Sequence, residues 1–156
     1  MDKLEYRSGT GIMLLNKDNL VFVAARNDMK EDAWQMPQGG LEANESPEVG
    51  VLRELEEETH IPARMVAIIS RSKEWLSYDF PKDVQAGFFK SKYVGQRQIW
   101  FLARYLGRDE DININTEKPE FRAWKWIEPK QLPDVIVDFK KPLYEKLLSE
   151  FSTKIQ

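Results

Sequence analysis

Residues 39–61 constrain the chain more than any other segment. Gly39 and Gly40 set two residues without Cβ atoms side by side, which permits backbone conformations and close approaches that other residues forbid. Ser46 then supplies a helix N-cap, Pro47 suits the first helical position, and Glu48 complements the positive end of the helix, so a helix should run to about Thr59. On it Glu54, Glu57 and Glu58 fall at i, i+3 and i+4, which gathers three carboxylates on one face. Uncompensated, they repel. A hard divalent cation, Mg²⁺ or Mn²⁺, resolves that repulsion because it prefers oxygen ligands and shares its shell with water and phosphate. Val51, Leu52 and Leu55 occupy the neighbouring face and should bury against a sheet, leaving the glutamates at the rim of the core and the metal in a cleft. Arg53 can reach Glu57 one turn later. Glu45, just before the N-cap, can accept backbone or arginine hydrogen bonds that hold the glycine loop to the helix.

At 156 residues, 42% of them hydrophobic, the chain is expected to form a single domain over residues 1–156. Its 26 acidic and 23 basic residues, a formal charge of −3, leave no bulk positive field for long nucleic acid. No DNA partner is expected, and any RNA contact must be local. The absence of cysteine excludes disulfides, thiolate metal sites and a cysteine nucleophile. The start, MDKLEYRSGTG, lacks the layout of a secretion signal, and no apolar run approaches membrane-spanning length. A soluble, unprocessed, cytoplasmic protein without a membrane partner is the expectation.

Strand candidates cover residues 10–15, 20–25, 65–69, 74–78, 98–106 and 121–127, each rich in β-branched or aromatic residues. Asn16, Lys17, Asp18 and Asn19 between the first two are a hairpin signal. A C-terminal helix is expected from the spacing of Leu143, Leu147, Leu148 and Phe151, with Pro142 in its first turn. Residues 81–95 lack periodicity and read as a functional loop, with Phe88, Phe89 and Lys90 as a lid or substrate wall.

An isolated run of glutamates reads as a solvated helix face, but the spacing around this one is particular. Gly39, five residues, Glu45, seven residues, then Arg53-Glu54-Leu55, any residue, and Glu57-Glu58 resembles the Nudix box, GX5EX7REUXEEXGU with U aliphatic. His60 stands where the family has glycine, while Ile61 fits. That glycine ends the helix in a left-handed conformation, which histidine adopts at some cost, so a locally altered helix end is expected. The chain's only histidine is not expected to bind metal, because it has no partner histidine. The resemblance implies an α+β Nudix fold, a mixed sheet sandwiched between helices with the catalytic helix after a Gly-rich loop.

Tyr6-Arg7, Trp34-Gln35-Met36-Pro37-Gln38-Gly39-Gly40, Trp75 to Pro81, Gly95 to Leu102, Pro119-Glu120-Phe121, Trp124-Lys125-Trp126 and Asp138-Phe139-Lys140 look like bacterial RNA pyrophosphohydrolases. The same blocks occur in dinucleoside tetraphosphate hydrolases. The resemblance implies metal binding by Glu54, Glu57, Glu58 and Glu120, catalytic roles for Glu54, Glu57, Glu58 and Arg53, and more than one Mg²⁺ or Mn²⁺ ion. It also implies substrate contacts from Arg7, Arg26, Gly39, Gly40, Tyr78, Phe139 and Lys140. Arginine and lysine offer donors to a polyphosphate, and aromatic rings stack on bases. Without the resemblance, Tyr78 and Phe139 read as core or rim aromatics and Arg7, Arg26 and Lys140 as surface charges. The five tryptophans read as packing residues.

The implied reaction is conversion of a 5′-triphosphate RNA end to a 5′-monophosphate, promoting mRNA decay, with one box glutamate or the metal ions activating water. Asymmetric cleavage of diadenosine tetraphosphate to ATP and AMP is the alternative. A Nudix-like module that binds nucleotides without cleaving them is a third reading, but such modules lose box carboxylates and Glu54, Glu57 and Glu58 are all present. Oligomeric state and the identity of the general base stay open.

Overall fold

A computed structural model of the chain describes residues 5–28, 33–82 and 93–155. Strands β1 (Glu5–Leu15) and β2 (Val21–Arg26) are joined by a tight turn. Asn16 makes that turn: its side-chain oxygen accepts from the Asp18 and Leu20 amides at 2.9 and 3.0 Å, and Asn19 adopts φ 62°. Among paired residues the two strands meet at Leu15 and Val21 and then splay apart. The gap is filled by residues 35–40. Gln35 exchanges backbone hydrogen bonds with Ala24, Pro37 accepts from Ile12, and β3 (Gln38–Gly40) pairs antiparallel with β1, Gly39 opposite Thr10 and Gly40 opposite Gly9.

Helix α1 (Pro47–Thr59) follows, then β4 (Val66–Arg71), β5 (Leu76–Asp79), β6 (Tyr93–Tyr105), β7 (Phe121–Ile127), α2 (Leu132–Val135) and α3 (Lys141–Phe151). The sheet order is β4-β6-β1-β2-β7, with β3 added to β1 and β5 to β6. It is mixed: β1 and β6 run parallel, and the other pairs are antiparallel.

Alternation along β1 sorts the core into two layers. Met13 and Leu15 face one side, where they pack with Leu143, Tyr144, Leu147 and Phe151 of α3. Ile12 and Leu14 face the other, against Val51 and Leu55 of α1 and the following Ile61. The sheet is therefore sandwiched between α1 and the C-terminal helices, as the α+β expectation has it. Tyr144 also ties α3 to the inserted segment, its hydroxyl accepting from the Met36 amide at 2.8 Å.

The strand boundaries shift where periodicity is weak. β1 and β6 begin well before their apolar runs because polar residues at their starts still pair, Tyr6 with Gly95 and Arg7 with Gln96. β3 carries no hydrophobic pattern and forms because β1 and β2 leave a gap there. Phe88, Phe89 and Lys90, with most of the expected loop, lie outside the described residues. No described helix is long and apolar enough to cross a membrane.

Candidate active site

The helix start is the one the sequence implies: Ser46 caps α1 by accepting from the Val49 amide, and Pro47 occupies the first turn. Next to Glu54 and one turn before Glu57, Arg53 works as a clamp. Its guanidinium grips Glu45 through two hydrogen bonds of 2.7 and 2.9 Å and donates to the Gly40 carbonyl at 3.2 Å. It also reaches Glu54 at 3.1 Å and Glu57 at 3.3 Å. Glu45 accepts from the Glu42 amide as well, and these bonds, Arg53's first, hold its carboxyl down at about 2. Glycine loop and helix are thus one rigid unit.

The glycines are required for approach, since neither has a positive φ. A Cβ on Gly39 would overlap the Glu54 carboxylate, and one on Gly40 would overlap the Arg7 guanidinium. Both groups meet at a cavity of about 160 Å³ that Arg7, Arg26, Glu54, Glu58 and Glu120 line together.

Glu58 is the most confined member. It is 4% exposed, and both carboxylate oxygens are buried without a hydrogen-bond partner. Burial first, and then the facing Glu120 carboxylate and Glu54, raise its proton affinity well above the usual carboxylate range, against a smaller opposing effect of Arg26. Glu54 is also raised, chiefly by burial, with Arg53 opposing and Glu57 and Glu120 adding to it. Glu57 differs from its neighbours: its side chain is 59% exposed and lines an adjoining depression with Glu58 and Glu120. Among the described residues no three of His, Cys, Asp and Glu lie close enough to ligate one ion directly. Two buried oxygens without a donor, beside three further carboxylates, nonetheless fit a divalent cation, whose charge would draw these mutually repelling groups inward.

On the far side of the cavity, Arg26 is paired through two hydrogen bonds of 2.8 and 2.7 Å to Asp28, so it is an anchored cation. Tyr78 is buried, accepts from the Gln38 side-chain amide at 3.0 Å and packs against Phe139 with ring centroids 5.8 Å apart. Lys140 is no surface charge: it is 7% exposed, with its ammonium 5.3 Å from the Tyr78 ring and 5.9 Å from the Phe139 ring. Burial, with Arg26 adding to it and Asp28 opposing, lowers it to about 7.

His60 ends α1 at φ 62° and ψ 16°, donating its amide to the Glu56 carbonyl at 2.9 Å. The left-handed cap is retained with histidine in it, and the ring is exposed. Sequence reasoning placed the tryptophans in packing roles. Trp100 is fully buried and Trp124 stacks on Phe22, but Trp75 is 38% exposed. Gln38 was missed as a site residue; its position beside Gly39 was the available signal.

A family model for the NUDIX domain matches residues 5–147. An RNA pyrophosphohydrolase of Zymomonas mobilis is 83% identical over 155 residues, spanning 99% of this chain and 100% of that protein. One of Sphingopyxis alaskensis is 48% identical, spanning 96% and 95%. Among solved structures, the E. coli dihydroneopterin triphosphate pyrophosphohydrolase superposes with a TM-score of 0.73 at 18% identity, covering 95% of this chain and 99% of that one. A C. elegans Ap4A hydrolase complex gives 0.67 at 18% identity, covering 94% and 98%.

Proposed function

The chain belongs to the Nudix family, and from that membership we propose that it is an RNA pyrophosphohydrolase. Water attacks a phosphorus of a 5′-triphosphate RNA end, an anhydride P–O bond breaks, and a 5′-monophosphate end and pyrophosphate, or successive phosphates, result. The observation that carries this reading is the 83% identity, over nearly the whole chain, to a relative of that name. Nudix hydrolases are in general dependent on divalent metal. Here Mg²⁺ or Mn²⁺, more than one ion, would be held by Glu54, Glu57, Glu58 and Glu120, and would supply charge neutralisation and water activation.

The chain's own groups have separable tasks. Arg53 orients Glu54 and Glu57 while Glu45 and Gly40 fix its guanidinium. Arg7 and Arg26 present cations to the phosphates at the cavity, and Gly39 and Gly40 let Glu54 and Arg7 approach it. Lys140 adds a third cation, and Tyr78 with Phe139 offers a ring surface to the first base. The likeness to the Ap4A hydrolase extends to the fold alone, so cleavage of diadenosine tetraphosphate is the second reading.

The test compares the purified protein on 5′-triphosphate RNA and on diadenosine tetraphosphate with Mg²⁺, following the products of each. A higher kcat/KM on the RNA is expected; faster ATP release from the dinucleotide would reverse the order of the two readings.

A further inference from the structure

Gln96, Gln98 and Trp100 of β6 form a polar chain that ends at the catalytic cavity. They alternate with Ile99 and Phe101 of the α1 layer, so their side chains share the opposite side of the strand, with Leu102. Trp100 is fully buried, with its ring centroid 6.1 Å from that of Tyr144 in a T-shaped contact. Gly11, opposite it on β1, leaves room for the indole, since a Cβ there would overlap the ring. Trp100 Nε1 donates to Gln98 Oε1 at 2.9 Å, and Gln98 Nε2 donates to Gln96 Oε1 at 3.2 Å. Gln98 is fully buried as well.

The polarity of this chain is dictated by its inner end. An indole N–H can only donate, so Gln98 must turn its oxygen to Trp100 and its amino group to Gln96. Gln96 must then accept through its oxygen, which leaves its own amino group to end the chain. Gln96 lines the catalytic cavity together with Arg7, its neighbour across the pair of strands. Among the described residues no hydrogen bond leaves its Nε2.

We infer that Gln96 donates from Nε2 to a phosphate oxygen in the cavity, and that Gln98 and Trp100 are positioning residues that fix the sign of this contact. The role rests on the pyrophosphohydrolase reading above and deepens it. An ionised phosphate oxygen only accepts, so the reversed amide would set one lone pair against another. A metal-bound water is itself a donor and would call for the opposite end of the amide, which makes phosphate the favoured partner. Buried amides and indoles are costly unless their hydrogen bonds are made. This chain makes them and holds a neutral donor beside Arg7 without burying a further charge.

The affinity for a 5′-triphosphate RNA is measured by calorimetry, with Ca²⁺ in place of Mg²⁺, for wild type, Gln96→Leu, Trp100→Phe and the double variant. Gln96→Leu should weaken binding about tenfold, the loss of one hydrogen bond to a charged group. Trp100→Phe keeps a ring in the core but removes the N–H, so the two amides can reverse, and binding should weaken about threefold or more. In the Gln96→Leu background the same substitution should leave the affinity unchanged. A purely structural role for Trp100 would weaken binding by one factor in both backgrounds. That result overturns the inference, as does an unchanged affinity in Gln96→Leu or a wild type that fails to bind. Thermal melting checks that each variant is folded, and Gln98→Met, which breaks the chain in its middle, replaces Trp100→Phe if that variant does not fold. A wild type that binds the RNA but does not cleave it with Mg²⁺ removes the catalytic reading, while the affinities still decide the role of Gln96.

Discussion

Glu58 and Lys140 are buried ionisable groups of opposite sign, and each sacrifices stability for a task. Glu58→Gln replaces a buried carboxyl whose ionisation is opposed by burial, Glu120 and Glu54 and whose oxygens have no donor. In chelator the variant should be more stable than wild type by about 1–3 kcal/mol, while Mg²⁺-dependent turnover falls roughly 100-fold or more. Thermal melting and kcat measure the two; a lower melting temperature in chelator would mean that Glu58 has a stabilising partner. For Lys140 the folded value of about 7 lies below the ordinary 10.5, so between them the unfolded chain binds more protons and stability rises with pH. The buried charge is therefore destabilising below about 7. Lys140→Met should raise the melting temperature there and raise KM for the phosphorylated substrate; in wild type, KM should climb as pH passes 7, whereas Lys140→Arg should keep it flat. A KM unchanged by Lys140→Met would remove the residue from substrate binding. The spacing of Glu54, Glu57 and Glu58 was legible, because helical geometry alone puts them on one face. Their unequal burial was not, because it depends on what the sheet and the Glu120 loop set against each of them.

At the scale of elements, α1 was readable from its cap to its acidic face, with cap, proline, apolar face and glutamates at their expected places; the altered helix end expected at His60 did not form, because histidine takes up the left-handed cap itself. Its end carries a strained residue. His60→Gly relieves the left-handed backbone of its Cβ conflict and should stabilise the fold by about 0.5–1 kcal/mol in urea unfolding, after the entropy that glycine adds to the unfolded chain is set against it. A destabilised variant would show that the histidine side chain has a compensating role. β7 matched its expected bounds, since Phe121–Ile127 is a run dense in aromatic residues. β3 could not be seen, because three residues, two of them glycine, have no periodicity. It exists because β1 and β2 diverge and leave backbone groups to be paired.

For the whole molecule, the two core layers share one sheet, so they should unfold together: a single cooperative transition is expected, with calorimetric and van't Hoff enthalpies equal. Mg²⁺ should move that transition upward as one. Two resolved transitions would instead mean that α3's layer is a separate unit. The sequence by itself determined the chemistry, since one helix face and its glycine approach depend only on local spacing and on a chain path set by caps. It also pointed to the α+β class, through runs dense in β-branched and aromatic residues beside two helical patterns and through the resemblance those residues carry. Only the tertiary structure decided that Lys140 is buried, that Arg26 is anchored by Asp28, and that Trp75 faces water beside Arg7. Burial and exposure at these positions come from contacts between residues far apart in the chain, and no local pattern encodes them.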